Sequence, residues 1–165
     1  MTHILAALMM TVNDVLYHAT YPDVEGLIDD NGLFPGVNGC VSLCTLAPHA
    51  AGFINMFGCS RMLGVSDTSS LDIRKPIPSE LMVTERFESI LVIGVKTSAL
   101  DDRDISMNMN DKSQAVTGVL PMFLQSYDHD GPIHVDAIVE KLWFSKDDKR
   151  IDPLFYYSHK RKRIY

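Results

Sequence analysis

The sequence predicts an α+β domain, and three observations carry that prediction. Short apolar, β-prone runs recur at Val15-Leu16-Tyr17-His18-Ala19-Thr20, Cys40-Val41-Ser42-Leu43-Cys44-Thr45, Ile90-Leu91-Val92-Ile93-Gly94-Val95 and Val139-Glu140-Lys141-Leu142-Trp143-Phe144. Helical patterns follow the first two of them. Later connections are polar and broken by Gly, Pro and Asp. At 165 residues and 18.5 kDa the chain is expected to form a single domain spanning 1–165, with residues 156–165 as a basic tail.

Each element has its own justification. The run Ile4-Leu5-Ala6-Ala7-Leu8-Met9-Met10 has no basic leader and is too short to span a bilayer, so it is expected to pack as a helix or strand. The first β-prone run ends at Thr20. Pro22 and Asp23 suit the first turn of a helix, Val24, Leu27 and Ile28 line one face, and Gly32 stands where a left-handed residue ends it. The second run alternates Ser42 with apolar neighbours and leads into a helical stretch around Ala50, Ala51, Phe53 and Ile54. Residues 64–80, with a Ser/Thr-rich stretch and Lys75-Pro76-Ile77-Pro78, read as a long loop. The run Ile90 to Val95 is continuous and apolar, as in a strand covered on both faces. Residues 101–104 form a solvated turn, 106–110 an edge strand or flexible segment, and 111–116 a polar connection. Phe123-Leu124-Gln125-Ser126-Tyr127 reads as a strand leading through Asp128-His129-Asp130 to a turn at Gly131-Pro132-Ile133.

The first strand is also the first candidate site. Residues two apart in a strand point to one side, so His18 and Thr20 can reach the same ligand. The alternative is a half-buried strand end whose imidazole is satisfied by a backbone carbonyl.

Taken in order, the Tyr17-His18-Ala19-Thr20 strand, the helix ending near Gly32-Leu33, the Val41-Ser42-Leu43-Cys44-Thr45 strand and the Gly131-Pro132-Ile133-His134-Val135-Asp136-Ala137-Ile138 turn resemble the ADP-ribosyltransferase superfamily. The resemblance spans roughly residues 14–144. It implies a split β-sandwich with flanking helices and an NAD-binding cleft. It assigns His18, Ser42 and Gln125 as the catalytic residues of the three strands, and His18, Ala19, Thr20, Ser42 and Arg61 as contacts to NAD, Arg61 touching pyrophosphate. The alternative for Arg61 is a surface position at a helix end. The pattern departs from many members in having no Glu on the third strand and Ser rather than Tyr or His on the second. It lies closest to the RNA 2′-phosphotransferases and to transferases acting on nucleic acids.

By this resemblance His18 donates to the adenosine-side ribose, Thr20 helps to fix that sugar, and Gln125 bonds the nicotinamide-side ribose or the acceptor. The acceptor is expected to be a macromolecule, nucleic acid ahead of protein. Two other readings stand beside it. An RNA 2′-phosphotransferase would use Arg61, Arg74 and Arg86 around the phosphate, and an interaction module would keep the fold without catalysis.

Composition narrows the classes further. The formal charge of −6 argues against indiscriminate binding to nucleic acid, because that affinity comes from Lys and Arg releasing counterions. The run His159-Lys160-Arg161-Lys162-Arg163, beside Tyr156, Tyr157 and Tyr165, suits phosphates and bases, or is a solvated terminus. Cys40, Cys44 and Cys59 give no disulfide framework and no Cys-x-x-Cys pair, so a cytoplasmic protein without a metal site is expected. The absence of G-x-G-x-x-G and G-K-[ST] patterns argues against Rossmann and P-loop folds.

Overall fold

The computed structural model describes residues 13–55, 59–67, 69, 72, 74–75, 77–107 and 126–151. The N-terminal apolar run, Gln125 and the basic tail lie outside the described residues. The architecture is α+β and the strand pairing is antiparallel, with two α-helices among the described residues.

Among the described residues eight strands and two α-helices follow one another as β1 (Val15–Thr20), α1 (Glu25–Asn31), β2 (Cys40–Cys44), α2 (Ala47–Asn55), β3 (Ser60–Val65), β4 (Met82–Arg86), β5 (Ser89–Lys96), β6 (Ile105–Met107), β7 (Ser126–Asp130) and β8 (Ile138–Ser145). Six of the strands form one sheet in the order β6-β7-β2-β1-β5-β8, while β3 and β4 form a separate hairpin. No helix among the described residues is long and apolar enough to cross a membrane.

Alternation along the strands builds a core on each side of the sheet. On the α1 side, Leu16, Leu43, Leu91, Ile93, Val95 and Tyr127 pack with Ile28 and Leu33. On the α2 side, Cys44, Ile90, Val92 and Phe144 pack with Ala50 and Ala51. Because β5 lies between β1 and β8 and faces both cores, its apolar residues are wholly buried, which explains its unbroken hydrophobic run. Each such aliphatic side chain withdrawn from water contributes about 1.5–3 kcal/mol.

The sheet is not paired evenly. β1 matches β5 over its whole length, from Val15–Lys96 to Thr20–Leu91, and β2 matches β7 from Cys40–Asp130 to Cys44–Ser126. Between β1 and β2 only Tyr17 and Cys44 pair. The sheet is therefore two well-laddered halves, β1-β5-β8 and β2-β7-β6, meeting at one residue pair.

Two glycines permit close approaches. Gly32 ends α1 with φ of 80°, and a Cβ there would overlap the Ile133 carbonyl oxygen, where Leu33 and Ile133 exchange hydrogen bonds of 2.9 Å in each direction. A Cβ at Gly94 would run into Glu140 Cγ and lie 3.1 Å from Val15 Cγ1. Across that gap Tyr17 Oη donates to Glu140 Oε1 at 2.9 Å, tying β1 to β8 over β5.

Several expectations are corrected here. Pro22–Val24 is a 3₁₀ turn and α1 starts only at Glu25, so Leu27 is 64 % exposed while Ile28 is buried. The loop expected over 64–80 is shorter, because β3 runs to Val65, the turn Ser79–Leu81 follows and β4 begins at Met82. Arg61 consequently sits on a strand and not at a helix end. β7 (Ser126–Asp130) takes in the Asp128-His129-Asp130 segment expected to be a connection.

Candidate functional site

The centre of the site is the place where β1 and β2 part. His18 turns its ring toward β2, and Nδ1 donates to the Ser42 carbonyl oxygen at 2.8 Å. A carbonyl can only accept, so Nδ1 carries the proton and, in the neutral ring, Nε2 presents a lone pair. Nε2 has no hydrogen-bond partner among the described residues. Desolvation of the ring lowers its pKa below 6.5, and the Ser42 carbonyl offsets part of that effect. The ring is thus held neutral, as an acceptor.

One ring nitrogen is satisfied by a backbone carbonyl, as in the alternative reading drawn from the sequence. Thr20 lies on the same face, two residues on and half-buried. Ala19 points the opposite way and packs against the α2-side core, so only its backbone is available to the His18 side.

Ser42 reaches His18 through its carbonyl and not its hydroxyl. Alternation along β2 turns Oγ to the α2 side, where it donates to Asp128 Oδ1 at 2.9 Å across the β2–β7 ladder. One rung away Cys40 Sγ donates to Asp130 Oδ1 at 3.1 Å. That bond to the carboxylate, with desolvation adding to it, pushes the Cys40 thiol up to about 11.

Asp128 is a residue that the sequence reading passed over. Treating Asp128-His129-Asp130 as a connection hid a third-strand carboxylate directly opposite Ser42. The signal was the alternation of Tyr127 and His129, both buried, with two carboxylates. Gln125, the residue expected in that role, lies outside the described residues.

Arg61 is held at the rim. Its guanidinium makes two bonds to Asp23, at 3.2 and 2.6 Å, and one to Glu85 at 2.6 Å, and its Cζ lies 5.2 Å from the ring centroids of both Tyr21 and Phe87. Tyr21 Oη also donates to the Ser60 carbonyl at 2.8 Å. Together these contacts fix the root of the β3–β4 hairpin to the segment that leaves Thr20. Among the described residues no group of His, Cys, Asp and Glu side chains is arranged to hold a metal ion.

No protein-family model matches the chain, and no curated protein is significantly similar to it.

Proposed function

We propose that this chain is an NAD-dependent ADP-ribosyltransferase with a split β-sandwich fold, acting on a macromolecular acceptor, nucleic acid ahead of protein. The observation that carries the reading is the parting of β1 and β2 at Tyr17–Cys44 with the His18 ring set into the gap. The gap supports the reading because it is a place at which a ligand could meet His18, as the NAD-binding cleft implied by the resemblance requires.

The residues suit NAD. The lone pair of His18 Nε2 is an acceptor for a ribose hydroxyl, so His18 accepts from the sugar where a donor was expected. Thr20 offers a hydroxyl on the same face, and the backbone at Ala19 lies between the two. NAD supplies the ADP-ribosyl group, whose transfer develops positive charge at the ribosyl carbon. Asp128, bound by Ser42 Oγ, faces the α2 side of the sheet, opposite to His18 and Thr20, so the group that meets this charge is not Asp128. Orientation of the sugar by His18 and Thr20 reduces the entropic part of the barrier.

The RNA 2′-phosphotransferase reading calls for cations around a phosphate, and Arg61 is already neutralised by Asp23 and Glu85. In the transferase reading Arg61 instead fixes the hairpin beside the cleft.

The deciding experiment combines labelled NAD with separate pools of DNA, RNA and protein. Label transferred to one pool by the wild type, and lost in a folded His18→Ala protein, supports the reading. His18→Ala should weaken NAD-dependent thermal stabilisation by about tenfold in affinity, equivalent to about 1.4 kcal/mol. A folded His18→Ala protein that binds NAD unchanged removes His18 from the site.

A further inference from the structure

We propose that the outer edge of β8 is an interface at which two copies of this chain join their sheets across a two-fold axis. β8 ends the six-stranded sheet, and no described strand lies beyond it. The ladders fix the direction of its backbone groups. Lys146 N–H donates to the Glu88 carbonyl at 3.0 Å, and pairing continues from there through Phe144–Ile90 and Leu142–Val92. Hydrogen-bonded and non-hydrogen-bonded positions alternate in an antiparallel pair, so Phe144 and Leu142 turn their N–H and C=O groups to β5 while Trp143 and Lys141 turn theirs away from it. The β1–β5 ladder agrees. There Thr97 N–H donates to the Asp14 carbonyl at 3.0 Å, which assigns the backbone groups of Ile93 and Leu91, the β5 partners of Lys141 and Trp143, to β1. Lys141 and Trp143 therefore offer two donors and two acceptors, unpaired among the described residues, along one edge.

Open sheet edges are ordinarily guarded by outward-pointing lysines, by proline or by bulges. From Glu140 to Ser145 β8 has none of these. It contains no proline. Its bulge lies at Val139, where the register with β5 shifts between Gly94–Glu140 and Val95–Ile138. Its lysine is drawn onto α1 by Glu25 and Asp29, and its glutamate accepts from Tyr17. Beside them Trp143 is 47 % exposed.

A second copy fits this edge because the edge is complementary to itself. A two-fold axis at Leu142 sets Lys141 of each copy against Trp143 of the other, the two positions whose backbone groups point outward, so each pair can exchange two hydrogen bonds. The side chains match in the same register: the stem of Lys141 lies against the indole, Leu142 meets Leu142, and Glu140 faces Phe144. No like charges are opposed. An axis at Lys141 would set the two lysines against each other, and an axis at Trp143 would shorten the ladder.

Pairing at β8 does not depend on what binds at His18. The test follows the full chain by sedimentation over a range of concentrations, with amide exchange read at single residues. A monomer–dimer equilibrium is expected. The amides of Lys141 and Trp143 should exchange fast in the dilute monomer and slowly in the dimer, while those of Leu142 and Phe144 are protected in both. Trp143→Lys, which restores the ordinary guard, should weaken dimerisation by about tenfold or more without lowering the melting temperature. Leu142→Cys, placed on the axis, should join two copies through position 142 under mild oxidation, as located by peptide mapping. Non-hydrogen-bonded antiparallel neighbours have Cα atoms about 4.5 Å apart, a separation that a disulfide spans. This second variant decides the matter if Trp143→Lys folds poorly. A chain that is monomeric at every concentration overturns the proposal, and protection of the Lys141 and Trp143 amides in that monomer would show the edge covered from within the chain. A dimer that is indifferent to Trp143→Lys and does not cross-link through position 142 also overturns it, because the copies then meet elsewhere.

Discussion

His18 shows how one side chain can be both structural and available. The carbonyl of Ser42 fixes the tautomer, and burial of the ring disfavours its charged form. The folded pKa therefore lies below the unfolded value of about 6.5, so the unfolded chain takes up the proton first as pH falls. Stability is undiminished by this group above about pH 6.5 and declines from there as pH falls toward the folded pKa. Melting temperature followed from pH 7.5 to 5 should drop less steeply in His18→Gln than in the wild type, and parallel curves would remove the ring as the cause. Cys40 gives the opposite case, a group that accessibility alone would suggest is reactive. With its pKa near 11, its thiolate population at neutral pH is about a hundredfold below that of a thiol titrating at 9.0. Asp130→Asn should speed alkylation of Cys40 by at least an order of magnitude, as located by peptide mapping; an unchanged rate would mean that the carboxylate is not what restrains the sulfur.

At the scale of elements, Gly94 is the position where β1, β5 and β8 are most tightly coupled. Adding a methyl group pushes on Glu140 and Val15 and breaks the route by which Tyr17 reaches β8. Gly94→Ala is expected to cost about 1–3 kcal/mol, read from denaturant unfolding, the range for overpacking in a well-filled structure. Elements with a strong local signal were legible in the sequence: β1, β2, β5 and β8 from their apolar runs, α2 from its alanines, and the end of α1 from Gly32. The hairpin β3–β4 was not. Ser60–Val65 and Met82–Arg86 present exposed Met62, Leu63, Met82 and Val83, so no alternation of buried and solvated residues marked them as strands. Arg61 was singled out as a ligand contact because a sequence shows a cation but not the two carboxylates, 38 and 24 positions away, that bind it. Asp128 was missed for the same reason. Only the β2–β7 register places it opposite Ser42, and register is a long-range property.

The molecule as a whole is organised about the line between its two half-sheets. Hydrophobic packing joins them on both faces, since Leu16 and Leu43 share one core and Ala19 and Cys44 the other. Their backbones are nonetheless linked only at Tyr17–Cys44. Amide hydrogen exchange should reveal this division. Residues 18–20 of β1 and 41–43 of β2 should include amides that exchange far faster than those of residues 91–93, although all lie deep within the same sheet. Uniform protection across the six strands would show that the halves are closed to solvent. A ligand that lodges between β1 and β2 should slow exchange at the first two segments and leave the third unchanged.

The bond from Tyr17 to Glu140 makes the fold depend on a missing side chain, and this constrains how the sequence can vary. A side chain at position 94 is tolerable only if position 140 becomes smaller, and a smaller residue there leaves the Tyr17 hydroxyl without its carboxylate. Positions 17, 94 and 140 should therefore change as a set in any sequence that keeps this sheet. Glu140→Ala combined with Gly94→Ala should be less damaging than the sum of the two single changes, because each removes part of the reason the other is harmful.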